Sequence, residues 1–556
     1  MYGLGRRTAS AALQLFSLYA CLTSAGSLPE HIEKLIKKQV PAEPMGVKTI
    51  TSPGGATIRY KEPGLEGVCE TTPGVNSYSG YVDLADDFHM FFWFFEARHN
   101  PNEAPITLWL NGGPGSDSLI GLFEELGPCN VTHNGTSVVN PYAWNEVSNL
   151  LFLSQPIGVG FSYADTVVGY VNQTTGLPVN SSNPNGRYSE VDPYRFDTTD
   201  LAAVGTWEVV QAFIENLPVL DATVSSRSFN LWTENYGPAF FKYFYDQNEL
   251  IKSGDISGVA LEMHTLGIIN GIISERVQAP YYPELAYKNT YGIEAVNETM
   301  YNYMKMNYYF PGGCRDSIDS CAASDRSTPD GQAVCSQATA ICRSLVESPY
   351  YVVSGRNPYD IRAEDSANIP PGYWVDYLNT AKVQNAIGVD INYTSTSSQD
   401  IWIGFDYSGD FVYPNLLEDL EGLLGYGVRI AMIYGDADYI CNWMGGEAVS
   451  LHVNYTHQAE FASAGYAPFV VDDVEYGESR QYGNFSFTRV YESGHEVPYY
   501  QPKAALELFR RVLGDMVVAD GTEKVTATYK SNGTASATHT NSYSTFYTGR
   551  PGDWKN

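Results

Sequence analysis

Basic residues are scarce in this sequence. Its 556 residues hold 33 Lys+Arg against 63 Asp+Glu, a formal net charge of −30 at pH 7. A chain this negative repels phosphate, which excludes nucleic acid as a partner. Charged residues of both signs make up only 17%, while 44% are hydrophobic, so disorder is excluded over most of the length. Beyond the leader-like start no stretch reaches ~18 apolar residues, and no membrane span is expected. With no C-x-x-C pair and no histidine near them, the cysteines do not read as a zinc site. No metal, cofactor or internal repeat is expected. The excess of Asp and Glu suits an acidic milieu, where carboxylates near their pKa lose self-repulsion; it suits equally a secreted protein kept soluble by charge. The length admits three or four domains of ~150 residues, or one large enzyme domain with insertions.

What is present at the two ends points to the secretory route. Residues 1–25 read as a signal peptide: Arg6 and Arg7 precede an apolar stretch from Ala11 to Leu22, and Thr23-Ser24-Ala25 offers small residues for cleavage. Nine N-x-[ST] sequons follow, at Asn130, Asn134, Asn172, Asn180, Asn297, Asn392, Asn454, Asn484 and Asn532, so N-linked glycans are expected. Of eight cysteines, Cys21 leaves with the leader. Cys314, Cys321, Cys335 and Cys342 cluster as a disulfide-stapled insertion; Cys69 and Cys129 pair with each other or with that cluster. The odd count leaves a free thiol, and Cys441 stands isolated. From 518 the chain turns Ser/Thr-rich and reads as a flexible, glycosylated tail with no terminal hydrophobic anchor. The protein is expected to be secreted or vacuolar.

Between the ends, short apolar strands alternate with helices. Strands are read at Ile106 to Leu110, Leu151 to Leu153, Phe229 to Thr233, Leu266 to Ile272, Val428 to Tyr434 and Phe487 to Tyr491. This pattern predicts an α/β fold with a mostly parallel central sheet and helices on both faces. Ligands then bind at the carboxyl ends of the strands. The expected division is an arm or pro-segment at 26–76, a core at 77–275 and 373–517, a disulfide-containing cap insertion at 276–372, and the tail at 518–556.

Chemistry-bearing motifs fall at those strand ends. A glycine-rich loop, WLNGGPGSDSLIGLFEELGPC (109–129), can turn backbone N–H groups toward a developing oxyanion. Asp438 follows the fifth strand and can orient a histidine; His495, in ESGHEVPYYQP, lies late in the chain. Alone, each has a bland reading as a turn, a cap or a structural histidine. With LLFLSQPIGVGFSYAD (151–165) and IYGDADYICNWMGGE (433–447), they resemble the serine carboxypeptidase family over about residues 76 to 516. The resemblance implies an α/β-hydrolase fold and removal of C-terminal residues from peptides at acidic pH. It further implies that Asp438 orients, that His495 is general base and acid, and that Gly113 and Tyr236 supply the oxyanion hole. Asn111 and Glu234 would hold the substrate's C-terminal carboxylate, with Trp109 and Glu125 in the same network and Cys441 as the family's free cysteine beside the site. Peptide and protein C-termini are the implied partners. Carboxylate meeting carboxylate works only if one is protonated, which mutual repulsion favours.

The departure is at the nucleophile. The family motif has the form E-S-Y-[GA]-G, whereas this chain reads Thr233-Glu234-Asn235-Tyr236-Gly237-Pro238, with Asn235 where serine is expected. A substitution or a deletion of about four residues explains it. Four residues are close to one helical turn of ~3.6, so the fold survives, with Asn235 tolerating the strained turn and Pro238 starting the helix. Acyl transfer does not survive, because an amide nitrogen is a poor nucleophile. Ser116 and Ser118 in the oxyanion loop offer no replacement. Three readings follow: an enzyme whose written elbow is defective through a wrong exon boundary or damaged allele, a catalytically dead homologue that binds peptide C-termini, and other chemistry such as ester hydrolysis. A lipase would show a small-x-Ser-x-Gly elbow, and a purely structural glycoprotein leaves Asp438, His495 and the oxyanion loop unexplained.

Overall fold

The computed structural model describes residues 40–541 apart from 53, 395, 396, 413 and 414. The expected leader, the first residues of the arm up to 39, and residues 542–556 lie outside the described residues. One twelve-stranded sheet organises the chain. Its strands are β1 (Lys48–Thr51), β2 (Thr57–Lys61), β3 (Ser77–Ala85), β4 (Phe88–Phe95), β5 (Ile106–Leu110), β8 (Asn149–Leu153), β12 (Ser228–Thr233), β13 (Glu262–Ile269), β14 (Arg429–Gly435), β15 (Ala467–Val471), β16 (Val474–Tyr482) and β17 (Phe485–Val490). They lie in the order β1-β2-β3-β4-β8-β5-β12-β13-β14-β17-β16-β15. A hairpin, β6 (Cys129–Val131) with β7 (Ser137–Val139), and a small sheet of β9 (Asp165–Val171), β10 (Pro178–Asn180) and β11 (Gly186–Glu190) stand apart.

The six central strands, β8-β5-β12-β13-β14-β17, are parallel, and they are the six expected from the sequence. The flanking strands pair antiparallel, so the whole sheet is mixed. The central strands are buried along almost their whole length, because helices cover both faces. Alternation divides their side chains. Ile106, Leu108, Leu110 and Leu231 pack with the helices Thr199–Leu220 and Gly237–Ser253, whereas Trp109 and Trp232 point to the other face. There the Trp144 ring stacks on Phe509 of the helix Pro502–Leu513, with centroids 4.0 Å apart.

Between β13 and β14 the chain leaves the sheet for a largely helical insertion, including Glu298–Tyr309, Cys314–Ala322 and Pro329–Cys342. Two disulfides, Cys314–Cys342 and Cys321–Cys335, staple the last two of these helices together. Cys69 pairs with Cys129, and Cys441 is free and buried.

The expected flexible tail takes a defined path as far as residue 541. Tyr466 and Thr534 form a bridge, the Ser531 hydroxyl donates to Gly465 O at 2.6 Å, and His539 stacks on Tyr491 at 3.6 Å. The Asn541 N–H donates to Thr290 O in the insertion (2.8 Å). Ser and Thr composition suggests mobility, but here backbone groups complete the hydrogen bonding of the sheet's last strands. Gly533 is required in this path, because a Cβ there would lie 1.6 Å from Tyr466 O. Among the described residues no helix is long and apolar enough to cross a membrane.

Candidate active site

Parallel strands deliver their carboxyl ends to one edge, and the chemistry gathers there. Asn111 follows β5 directly, Glu234 follows β12, Asn270 follows β13, and Asp438 and His495 lie a few residues past β14 and β17. His495 Nδ1 meets Asp438 Oδ2 at 2.8 Å. Asp438 is fully buried and is held from two further sides: the Asn270 side-chain amide donates to Oδ2 (2.6 Å), and the Cys441 N–H to Oδ1 (3.3 Å). Asn270 carries a left-handed backbone (φ +47°) and also accepts the Gly435 N–H at 3.0 Å, which ties the ends of β13 and β14 together. Sequence reasoning missed this residue; its only signal was its place at a strand end.

Burial works against a charged His495 ring, but the Asp438 carboxylate and its hydrogen bond outweigh it and hold the ring's pKa well above 6.5. Burial pushes the Cys441 thiol up to about 12, against the pull of His495, so this thiol is neutral rather than nucleophilic. Asp438, Cys441 and His495 bring one ligand atom each within 4.8 Å of one another. Asp438 Oδ2 is already committed to His495 and Asn270, which leaves little for a cation.

The carboxylate-lined half of the site turns on Asn111. Its Nδ2 donates to both Glu234 Oε1 (2.8 Å) and Glu125 Oε1 (3.2 Å), while its Oδ1 accepts from Trp109 Nε1 (2.7 Å) and the Gly121 N–H (2.9 Å). The Gly112 N–H donates to Glu234 Oε2 at 3.0 Å. A Cβ on Gly112 would lie 2.9 Å from that oxygen, so the loop needs glycine to come so close. Glu234 Oε2 also lies 3.8 Å from His495 Nε2.

Two further acids, Glu124 and Glu496, join this cluster. Burial and the nearby charge of Glu496 push Glu124 up to about 8, against the Trp374 indole N–H that donates to it. Burial raises Glu496 to about 7 despite His495. Burial, then Glu496 and Glu234, push Glu125 well above the usual carboxylate range. Several of these carboxyl groups therefore carry protons near neutrality and can donate to an acceptor. Glu496 was legible as the neighbour of His495 in ESGHEVPYYQP, though its role was not.

The elbow is relaxed. Asn235 Oδ1 accepts the Ile272 N–H at 2.7 Å, which turns this side chain onto the end of β13. Among the described residues, those with left-handed φ include Asn270 and Glu492 but not Asn235. The strained turn expected at the nucleophile position is absent: Tyr236 is already helical (φ −67°, ψ −17°), and the helix starts at Gly237 with Pro238 in its first turn. Tyr236 is buried, and its hydroxyl accepts the Gly115 N–H of the oxyanion loop at 3.2 Å. Gly113 sits in the tight turn of that loop, closed by Ser116 N–H to Gly112 O at 3.2 Å. Ser116 pairs with the Ser397 hydroxyl and Ser118 Oγ accepts the Asn111 N–H, so both serines are engaged within or beside the loop.

Known proteins resemble this chain over most of its length. A sequence profile described as serine carboxypeptidase matches residues 63–515. Carboxypeptidase S1 homolog B of Arthroderma otae is 41% identical over 533 residues, covering 88% of this chain and 80% of the relative. Carboxypeptidase S1 of Penicillium janthinellum is 35% identical over 452 residues, covering 80% of this chain and 97% of its own. Among solved structures, Kex1Δp, a prohormone-processing carboxypeptidase from Saccharomyces cerevisiae, superposes with a TM-score of 0.62 at 22% identity. That match covers 83% of this chain and 96% of the yeast one, and it shows the shared fold.

Proposed function

The chain belongs to the serine carboxypeptidase family, and from that premise we propose that it binds the free C-terminus of a peptide without completing acyl transfer. The observation that carries this reading is the Asn111 amide shared between Glu234 and Glu125 beside an assembled Asp438–His495 pair, with Asn235 turned away onto Ile272. Asn111, Trp109, Glu234 and a protonated Glu125 form the receptor for the terminal carboxylate. The N–H groups of Gly113 and Tyr236 are assigned to the scissile carbonyl oxygen.

In a complete triad, His495 takes the proton of a serine hydroxyl as it attacks the scissile carbonyl. It then returns that proton to the leaving amine, and Asp438 stabilises the imidazolium between the two steps. Here no hydroxyl occupies the attacking position. Loss of a triad nucleophile costs about 10⁶-fold in turnover, so the bound peptide is held rather than cut. Titration calorimetry at pH 4–6 with a blocked dipeptide and its C-terminal amide tests this. The acid binds and the amide does not; equal binding of both, or of neither, refutes the reading.

A second reading has a specific observation in its favour. The His495–Asp438 pair and the Asn111 network are intact around a single altered turn, which is the pattern left by a recent lesion in the elbow. Transcript sequence across codons 233–238 decides it: an encoded serine together with the missing elbow residues makes this an active carboxypeptidase, and a clean transcript encoding Asn235 removes that reading. Nine sequons, three disulfides and the leader-like start support passage through the secretory pathway.

A further inference from the structure

Asp438 and His495 sit on loops after different strands, and a third segment, from the insertion, holds both. Two adjacent carbonyls of this segment face the two loops. Pro358 O accepts the N–H groups of Tyr439 (3.0 Å) and Ile440 (3.2 Å), the two residues after Asp438. Tyr359 O accepts the N–H of His495 itself at 2.9 Å. On the other side of Asp438, the Ile361 N–H donates to Ala437 O at 2.9 Å. The approach is too close for a side chain at Gly494, where a Cβ would lie 2.4 Å from Tyr359 O.

The segment holds a buried ion pair, beside the Arg356 guanidinium that donates to Ile361 O at 2.8 Å. Arg362 donates through Nε and Nη2 to Asp360 Oδ1 and Oδ2, both at 2.8 Å, and its own N–H reaches Oδ1 at 3.0 Å. Both side chains are essentially inaccessible. The guanidinium lies 5.3 Å from the centre of the Tyr291 ring and 5.5 Å from that of Tyr500. The Tyr291 hydroxyl in turn donates to Asp436, two residues before Asp438. Buried charge is costly unless fully paired, and a bidentate pair fixes geometry as well as charge.

We propose that Arg362, through its pair with Asp360, is a positioning residue that sets the Asp438–His495 geometry from the insertion by aiming the carbonyls of Pro358 and Tyr359. The sheet brings the two loops to one edge, and this segment fixes their spacing. The insertion is thereby part of the acid–base machinery and not only a cover over it.

The His495 ring reports on this directly, whether or not a peptide binds, so failure here leaves the binding reading standing. The charged and titratable groups facing the ring are Asp438, Cys441, Glu234, Glu496 and Glu125, with the Tyr359 ring of the segment itself 5.1 Å away. The test is NMR titration of the histidine-labelled full chain carrying D360N/R362Q, which removes both charges and leaves no lone one. A control, E70Q/R98Q, removes another buried ion pair at Arg98, away from these loops. The His495 midpoint should fall by about one pH unit or more, a tenfold change in proton affinity, in D360N/R362Q and stay in place in the control. An unchanged midpoint, or an equal fall in the control, overturns the proposal. Should D360N/R362Q not fold, R362K is read instead: it keeps the charge but loses the fork. There a smaller fall supports the proposal and an unmoved midpoint overturns it.

Discussion

Glu234 presents its Oε2 3.8 Å from the Nε2 of His495, the ring nitrogen not used by Asp438. The imidazole thus lies between two acidic side chains, and among the described residues no hydroxyl is hydrogen-bonded to it. That relationship sets the expectations for binding and for repair of the elbow.

Peptide binding should weaken as pH rises. Burial lifts Glu124 to about 8 and Glu496 to about 7, and holds Glu125 well above the usual range. Their protonated forms donate to a substrate carboxylate, and their ionised forms repel it. Affinity for a free-acid peptide should therefore fall about tenfold or more between pH 5 and pH 8. Glu125→Gln, neutral at every pH, should flatten that slope. Calorimetry across the range checks both, and an affinity rising with pH would count against the network.

Asn235→Ser alone should not restore an active serine. The backbone at 235 lacks the left-handed turn that exposes a nucleophile, and the lost hydrogen bond to the Ile272 N–H costs about 1 kcal/mol. A fluorophosphonate probe should label this variant no more than the parent. Strong labelling at 235 would show that the elbow strains readily once serine is present.

Stability should be greatest in acid. Glu275 is 2% exposed, and burial with the charge of Glu347 lifts its carboxyl to about 8; burial lifts Asp419 to about 7 and Asp117 to about 6. In each case the folded chain keeps a proton that the unfolded chain loses near pH 4 to 4.5. Stability is therefore full below that range and declines up to each folded value, by up to about 1.4 kcal/mol per pH unit and group. The raised His495 acts in the same direction, losing its contribution as pH climbs through its folded value. Thermal melts from pH 4.5 to 8 should show a falling Tm, and Glu275→Gln should gain stability over the parent at pH 8 but not at pH 5. Parallel curves for the two would refute the assignment.

Glycans should follow exposure and not the sequon alone. Asn134, Asn180, Asn297, Asn454 and Asn532 are exposed. Asn392 is buried, with Oδ1 accepting the Arg187 N–H (2.9 Å) and Nδ2 donating to Asn379 (3.3 Å). Asn484 spends its Nδ2 on Val428 O at 2.7 Å. Glycopeptide mapping should find the five exposed sites modified and Asn392 bare; a glycan on Asn392 would mean it is modified before that region folds.

The central strands and the site loops were legible because they obey local rules. β5, β12 and β14 are short apolar runs that end in Asn111, Glu234 and the Gly435-Asp436-Ala437-Asp438 turn, and covered parallel strands read that way. β16 was not read, since VEYGESRQY mixes charge and aromatics and gains its place by pairing with β17 and β15. Cysteine pairing was open for Cys69 and Cys129 because spacing does not fix connectivity. Asn270 and the segment at Pro358 and Tyr359 escaped notice for a related reason. The Asn270 side-chain amide and the Pro358 and Tyr359 carbonyls act by meeting loops far away in the chain, and local pattern does not announce that.

The path of residues 517–541 bears on biosynthesis. β15 ends the sheet, and the N–H groups of Val470 and of Tyr466, just before the strand, donate to Ala519 O and Thr534 O, made some 50 residues or more later. During synthesis that edge stays open after every other strand has emerged, and an open edge is a template for pairing with another chain. Asn541 then closes onto Thr290 in the insertion, so the last described residue locks down a region translated some 250 residues earlier. Emergence of residues 519–541, rather than completion of the central sheet, is the step at which this edge becomes safe from its neighbours.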